Sequence, residues 1–214
     1  ADAAVAKIMD LKVVPVITLD DPNLAAPLAD ALVAGDLPIA EIALRTPASL
    51  EGMARLKEHA PDVLLGAGTI LSIDQLVAAR DAGASFAVTP GFSSDVVTKA
   101  VEIGLPIVPG IATPSEIQLA LQHGQKLLKF FPAGCYGGAK TLQALAAPYG
   151  PAGVRFMPTG GVNVENLGNY LALPCVFAVG GGWLAPRGDI EEGRWDQISD
   201  RCREARAIAQ QNNA

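Results

Sequence analysis

Positive charge is scarce in this chain: 16 Lys and Arg stand against 22 Asp and Glu, a formal net charge of −6 over 214 residues. Nucleic acids and anionic membranes are recognised through an excess of cations, so neither is an expected partner. Histidine is rarer still. His59 and His123 lie far from any Cys, Asp or Glu at ligand spacing, which argues against a metal centre. The three cysteines, Cys135, Cys175 and Cys202, have no CxxC spacing, and an odd number cannot complete an intramolecular disulfide set. No apolar run approaches the roughly 18 residues of a membrane span, and no basic segment followed by an apolar one opens the chain. A reducing, cytoplasmic setting is the expectation. The low-complexity tracts that would signal disorder are also missing.

What is present is regular. Runs rich in β-branched and apolar residues recur at 13–19, 38–44, 62–67, 85–90, 105–109, 126–131, 153–158 and 175–180, with starts roughly 20 to 27 residues apart. That interval holds a strand, a helix and two short loops, as parallel pairing through a crossover helix requires. The intervening segments carry helix signals. Ser72 stands at an N-cap position, Pro22, Pro47 and Pro114 stand near first turns, and Gly35, Gly83, Gly104 and Gly124 stand at exits. Eight βα units on one chain predict a single (β/α)₈ TIM barrel over 1–214, with an extra helix ahead of the first strand. A doubly wound sheet is the alternative, but no G-x-G-x-x-G follows the first strand, which leaves dinucleotide binding weakly supported.

In a barrel the C-terminal strand ends form the active face, so charges inside apolar strands carry the functional signal. The period of two in Ile39–Arg45 places Glu41, Ala43 and Arg45 on one face. In the 127–132 run, Lys129 shares a face with Leu127 and Phe131 and projects inward. Apolar surroundings disfavour an ammonium, and the neutral amine is the form that attacks a carbonyl. A structural ion pair, or a lysine reaching out to solvent, is the bland alternative. Convergence at one mouth favours chemistry, because a carboxylate beside an amine supplies the proton transfers of carbinolamine formation. The Gly160-Gly161 and Gly180-Gly181-Gly182 turns close the last two expected strands, where backbone N–H groups can converge on an oxyanion. Tight turns without a ligand would use the same residues.

At Lys129-Phe130-Phe131-Pro132-Ala133 the chain resembles the 2-keto-3-deoxy-6-phosphogluconate (KDPG) aldolases and the bifunctional KDPG/4-hydroxy-2-oxoglutarate aldolases. Val14-Pro15-Val16-Ile17, Glu41 to Thr46, Gly66 to Thr69, Thr89-Pro90-Gly91, Val108-Pro109-Gly110, Pro158 to Gly161 and Gly180 to Leu184 extend the likeness over nearly the whole chain. The resemblance implies a class I lyase of the Entner–Doudoroff pathway that needs no cofactor and no metal, assembled as a homotrimer. It implies Lys129 as the Schiff-base lysine and Glu41 as the acid/base. Arg45 and Thr69 would hold the pyruvate carboxylate, Thr159 would contact the hydroxylated chain, and Pro90 and Phe131 would shape the pocket. Gly160, Gly161, Gly181 and Gly182 would bind phosphate. Gly182 is a departure, since the family often has a Ser or Thr hydroxyl there. One lost hydrogen bond to a charged group weakens binding by about 1.5 to 3 kcal/mol. Pocket shape, rather than any motif, decides the aldehyde partner and the C4 stereochemistry.

Overall fold

A computed structural model describes residues 2–212; the expected domain span of 1–214 includes residues 1, 213 and 214, which lie outside the described residues. The strands are β1 (Val13–Ile17), β2 (Ile39–Ala43), β3 (Leu64–Gly68), β4 (Phe86–Val88), β5 (Ile107–Val108), β6 (Gly110–Ile111), β7 (Leu127–Phe130), β8 (Arg155–Pro158) and β9 (Val179–Gly181). The helices are α1 (Asp2–Leu11), α2 (Ala25–Ala34), α3 (Ser49–His59), α4 (Ile73–Asp81), α5 (Ser94–Glu102), α6 (Pro114–Gln122), α7 (Gly138–Ala146), α8 (Val164–Leu171), α9 (Arg187–Glu191) and α10 (Trp195–Gln211). The helix ahead of the first strand is therefore present.

Every ladder is parallel. One sheet has the order β5-β4-β3-β2-β1-β9 and a second the order β6-β7-β8. The division between β5 and β6 falls at Pro109, which has no N–H to give a neighbour, although its carbonyl still accepts from Lys129 N at 2.8 Å. Between β8 and β9 the contact narrows to two single bridges, Phe156 with Val176 and Thr159 with Gly180. The last expected strand, 175–180, is shortened accordingly. The N–H of Val176 is spent in a turn on Leu173 O at 2.9 Å, so regular pairing starts only at Val179.

Helix starts follow the sequence signals. Ser72, Ser93 and Thr113 each accept from a backbone N–H three residues on, and Asn163 and Asn166 cap each other reciprocally. Burial pushes the Glu116 carboxyl up, but the N–H groups of Ala112 and Thr113 and the Thr113 hydroxyl donate to it and hold it below its ordinary value. Gly83, Gly104 and Gly124 leave their helices at positive φ, where a Cβ would be strained. Gly35 serves another purpose. A Cβ there would lie 2.5 Å from the Cys202 Cβ, so its absence lets α10 close on α2, and Ser199 Oγ donates to Ala31 O across that contact.

The core between strands and helices is aliphatic and aromatic, with Phe86, Phe130, Phe156 and Phe177 fully buried. Among the described residues no helix is long and apolar enough to cross a membrane.

Candidate active site

Two strand-borne charged side chains are buried inside this apolar framework. Glu41, in the middle of β2, is 1% exposed, and Lys129, on β7, is 5% exposed. Parallel strands with alternating side chains turn both inward, while Ile42, Leu128 and Phe130 pack into the core. Lys129 Nζ donates to Glu41 Oε1 at 3.1 Å and lies 5.5 Å from the centroid of the Phe131 ring. Such a pair survives burial only when each charge answers the other, because the desolvation penalty is several kcal/mol per ion.

Space for the pair comes from a residue the sequence reading did not single out as functional. A Cβ on Gly68, at the end of β3, would stand 2.3 Å from Glu41 Oε1 and 2.8 Å from its Cγ. Glycine at 68 is what lets the carboxylate occupy its position. The other oxygen, Glu41 Oε2, is buried without a hydrogen-bond partner among the described residues.

Above this floor, at the C-terminal strand ends, opens a cavity of about 250 Å³. Arg45 after β2, Phe131 after β7, Thr159 and Gly160 after β8, and Gly182 after β9 line it. Val16, Thr18, Ala185 and Arg187 complete the wall. Arg45 Nε donates to Thr69 Oγ1 at 3.2 Å, linking two of the expected substrate residues. Thr69 holds φ at +60, a strained conformation for a β-branched residue, immediately beyond β3. Gly180 makes room for the Thr159 hydroxyl, which a Cβ would meet at 2.4 Å.

Four expected substrate-binding residues stand apart from the cavity wall, Thr69 among them, as do Glu41 and Lys129. Pro90 packs its carbonyl against Gly110, where a Cβ would lie 2.3 Å away. Gly161, at φ +78, sits against Gly134, and its carbonyl accepts from Asn166 Nδ2 at 3.0 Å. Gly181 lies under the Trp183 ring, which a Cβ would penetrate. Of the four glycines, Gly160 and Gly182 border the cavity.

Arg187 was missed because the feature that matters is the return of α9 over the mouth. Its signal in the sequence is a lone cation shortly after the last glycine run. Its Nε contacts Asp20 Oδ2 at 2.6 Å and Glu191 Oε1 at 3.2 Å, and its Nη2 donates to Asp20 Oδ1 at 2.8 Å. These bonds and charges, led by Asp20, raise the guanidinium further above its already high value. α9 is anchored in turn by Asp189, which accepts from Arg194 Nη1 at 2.7 Å and from Arg201 Nη2. His59 and His123 sit at helix ends, touching Asp30 and the Leu119 carbonyl, and no group of three or more potential metal ligands occurs among the described residues.

A buried amine in contact with a carboxylate, near a cavity at the strand ends of a parallel α/β fold, is the equipment of a carbonyl-addressing lyase. The model of the KDPG and KHG aldolases matches residues 5–201. A 2-dehydro-3-deoxy-phosphogluconate aldolase of Dickeya dadantii is 43% identical over 197 residues, 92% of each chain. Among solved structures, the KDPG aldolase of Legionella pneumophila, with pyruvate captured as a covalent carbinolamine, superposes at TM-score 0.90 and 36% identity over 94% of this chain and 97% of that one. The 2-keto-3-deoxy-6-phosphogluconate aldolase of Zymomonas mobilis with 3-phosphoglycerate gives 0.88 and 37% over 97% of both. The chain belongs to the KDPG and KHG aldolase family, whose members are class I lyases.

Proposed function

We propose that the chain reversibly cleaves 2-keto-3-deoxy-6-phosphogluconate to pyruvate and glyceraldehyde 3-phosphate through an imine on Lys129, and splits 4-hydroxy-2-oxoglutarate to pyruvate and glyoxylate by the same steps. The observation that carries this reading is the 3.1 Å contact between Lys129 Nζ and Glu41 Oε1 in a buried setting. A carboxylate in direct contact with the amine is placed to exchange protons with it and with the carbonyl oxygen it attacks.

The amine attacks C2 of the keto acid. Glu41, acting first as the acid, protonates the alkoxide, takes the proton the nitrogen gives up and returns it to the carbinolamine hydroxyl, which leaves as water and leaves Glu41 as the carboxylate. The resulting iminium is an electron sink. Glu41, directly or through water, removes the C4 hydroxyl proton; the C3–C4 bond breaks, the aldehyde departs, and its bonding electrons form the enamine. Protonation at C3 and hydrolysis of the imine release pyruvate and restore Lys129. Neither metal nor organic cofactor enters these steps.

Arg45 and Thr69 hold the carboxylate, Thr159 meets the hydroxylated chain, and Phe131 and Pro90 shape the pocket. Gly160 and Gly182, with Gly161 and Gly181 behind them, form the phosphate end. We take residues 1–214 as one domain, in which the two sheets close as an eight-stranded barrel through the Pro109 junction and the bridges from β8 toward β9. A homotrimer is the proposed assembly. Exposed apolar side chains such as Leu71 and Val101, 64% and 62% exposed, are suited to cover by another subunit.

The test is mass spectrometry after incubation with pyruvate and borohydride. A reduced pyruvate adduct on Lys129, lost in Lys129→Met, is expected, together with a loss of cleavage of roughly 10⁴-fold or more. Folded wild-type protein that forms no adduct would refute the imine mechanism.

A further inference from the structure

The cavity wall carries two guanidiniums, Arg45 and Arg187, and no carboxylate, in a chain with formal charge −6. Arg45 is tied to Thr69, beside the floor strands. Arg187 comes from α9 and shares the wall with Gly160 and Gly182. We propose that Arg187 recognises the distal phosphoryl group of the substrate and sets the preference of this site for phosphorylated over unphosphorylated keto sugar acids. The proposal rests on the aldolase reading of the same site.

Three observations carry it. The first is the bonding of the side chain. Asp20 and Glu191 take Nε and Nη2, and Nη1 has no hydrogen-bond partner among the described residues. A guanidinium offers five N–H groups in a planar fork, so one edge can stay on its carboxylate anchors while Nη1 donates to a phosphoryl oxygen. The second is rigidity. Asp189 binds α9 to Arg194 and Arg201, which lowers the ordering cost of holding Arg187 at the mouth. The third is the open position beside it. A Cβ on Gly182 would find only Val16 O, at 3.5 Å, so the glycine leaves room where a hydroxyl side chain could stand. That open position beside Arg187 leaves room for a phosphoryl group at the rim.

The arginine side chain is 60% exposed, and both its anchors are anionic, so its effect is modest and screened by salt. The measurement is the ratio of kcat/KM for 2-keto-3-deoxy-6-phosphogluconate to that for 2-keto-3-deoxygluconate, which has the same carbon skeleton without the phosphate. Arg187→Gln is expected to lower this ratio about tenfold, through KM of the phosphorylated substrate. In the wild-type protein the ratio is expected to fall as ionic strength rises, a readout that does not depend on the variant folding. An unchanged ratio in the variant, or a wild-type ratio indifferent to salt, would overturn the proposal. The pyruvate–borohydride adduct is read in parallel. Its absence from wild-type protein defeats the aldolase reading, whereas its presence beside an unchanged ratio defeats only the role of Arg187.

Discussion

The floor and the rim of the cavity both use charged side chains, in opposite ways. At the floor, Glu41 and Lys129 are 1% and 5% exposed and meet in a single contact, so each depends on the other. At the rim, the Arg187 side chain is 60% exposed and is shared between two carboxylates. Buried charges interact strongly and ignore salt, which suits proton transfer at fixed distances. Exposed charges are weak, screened and tolerant of movement, which suits sorting substrates by their far ends. On the proposed reading, depth separates the chemistry of this site from its selectivity.

Glu41→Gln should produce the larger break in that comparison. The amide keeps an oxygen that can accept from Lys129 but cannot carry the proton between amine, carbinolamine and C4 hydroxyl. A fall in kcat on the order of 10² to 10⁴ is expected in steady-state assays, for phosphorylated and unphosphorylated substrates alike. Retention of more than a tenth of the activity would mean that water or another group carries the protons.

Gly68→Ala probes the same floor without changing any charge. The new Cβ would meet Glu41 Oε1 at 2.3 Å, and the carboxylate is the movable partner, so it should swing away from Lys129. A displacement of about 1 Å can cost on the order of 10²-fold. The drop should appear in kcat, with slower adduct formation from pyruvate and little change in phosphate preference. Full activity in this variant would show that the position of the carboxylate is less demanding than its presence.

The sequence made some of this arrangement readable and hid the rest for identifiable reasons. Strand phase follows from a period of two, so the inward aim of Glu41 and Lys129 could be anticipated. Their contact joins residues 88 apart, and it follows once both strands present their ends to one mouth. The role of Gly68 is a clearance between side chains on neighbouring strands, which needs the β2–β3 register that pairs Ala43 with Gly68. Gly161 and Gly181 look like phosphate-turn glycines in the sequence, yet one accommodates Gly134 and the other an indole ring. A glycine facing a ligand and a glycine facing a neighbour are written with the same letter. The sequence extends the last strand over 175–180 because its hydrophobic run says nothing about the N–H of Val176 being spent on Leu173. Arg187 depends on a short helix folding back over the mouth, which no local pattern encodes.

The smallest expected effect comes from the anchor beneath the rim. The hydrogen bond from Arg194 holds the Asp189 carboxyl below its ordinary value; burial opposes this, and Arg201 reinforces it. A carboxyl lowered on folding stabilises the native state fully above the unfolded value, about 3.9, and that contribution is lost as pH falls through the lower folded value. Asp189→Asn should therefore reduce stability near neutral pH by about 1 to 2 kcal/mol, discounted for the partly exposed arginines. The gap in Tm between variant and wild type should narrow as the solution is acidified through the carboxylate range. A gap that stays constant with pH would assign the loss to packing. With α9 loosened, phosphate preference should decline while Lys129 still traps pyruvate. A variant that instead lost the adduct would show floor and rim to be one coupled unit, contrary to the division by depth.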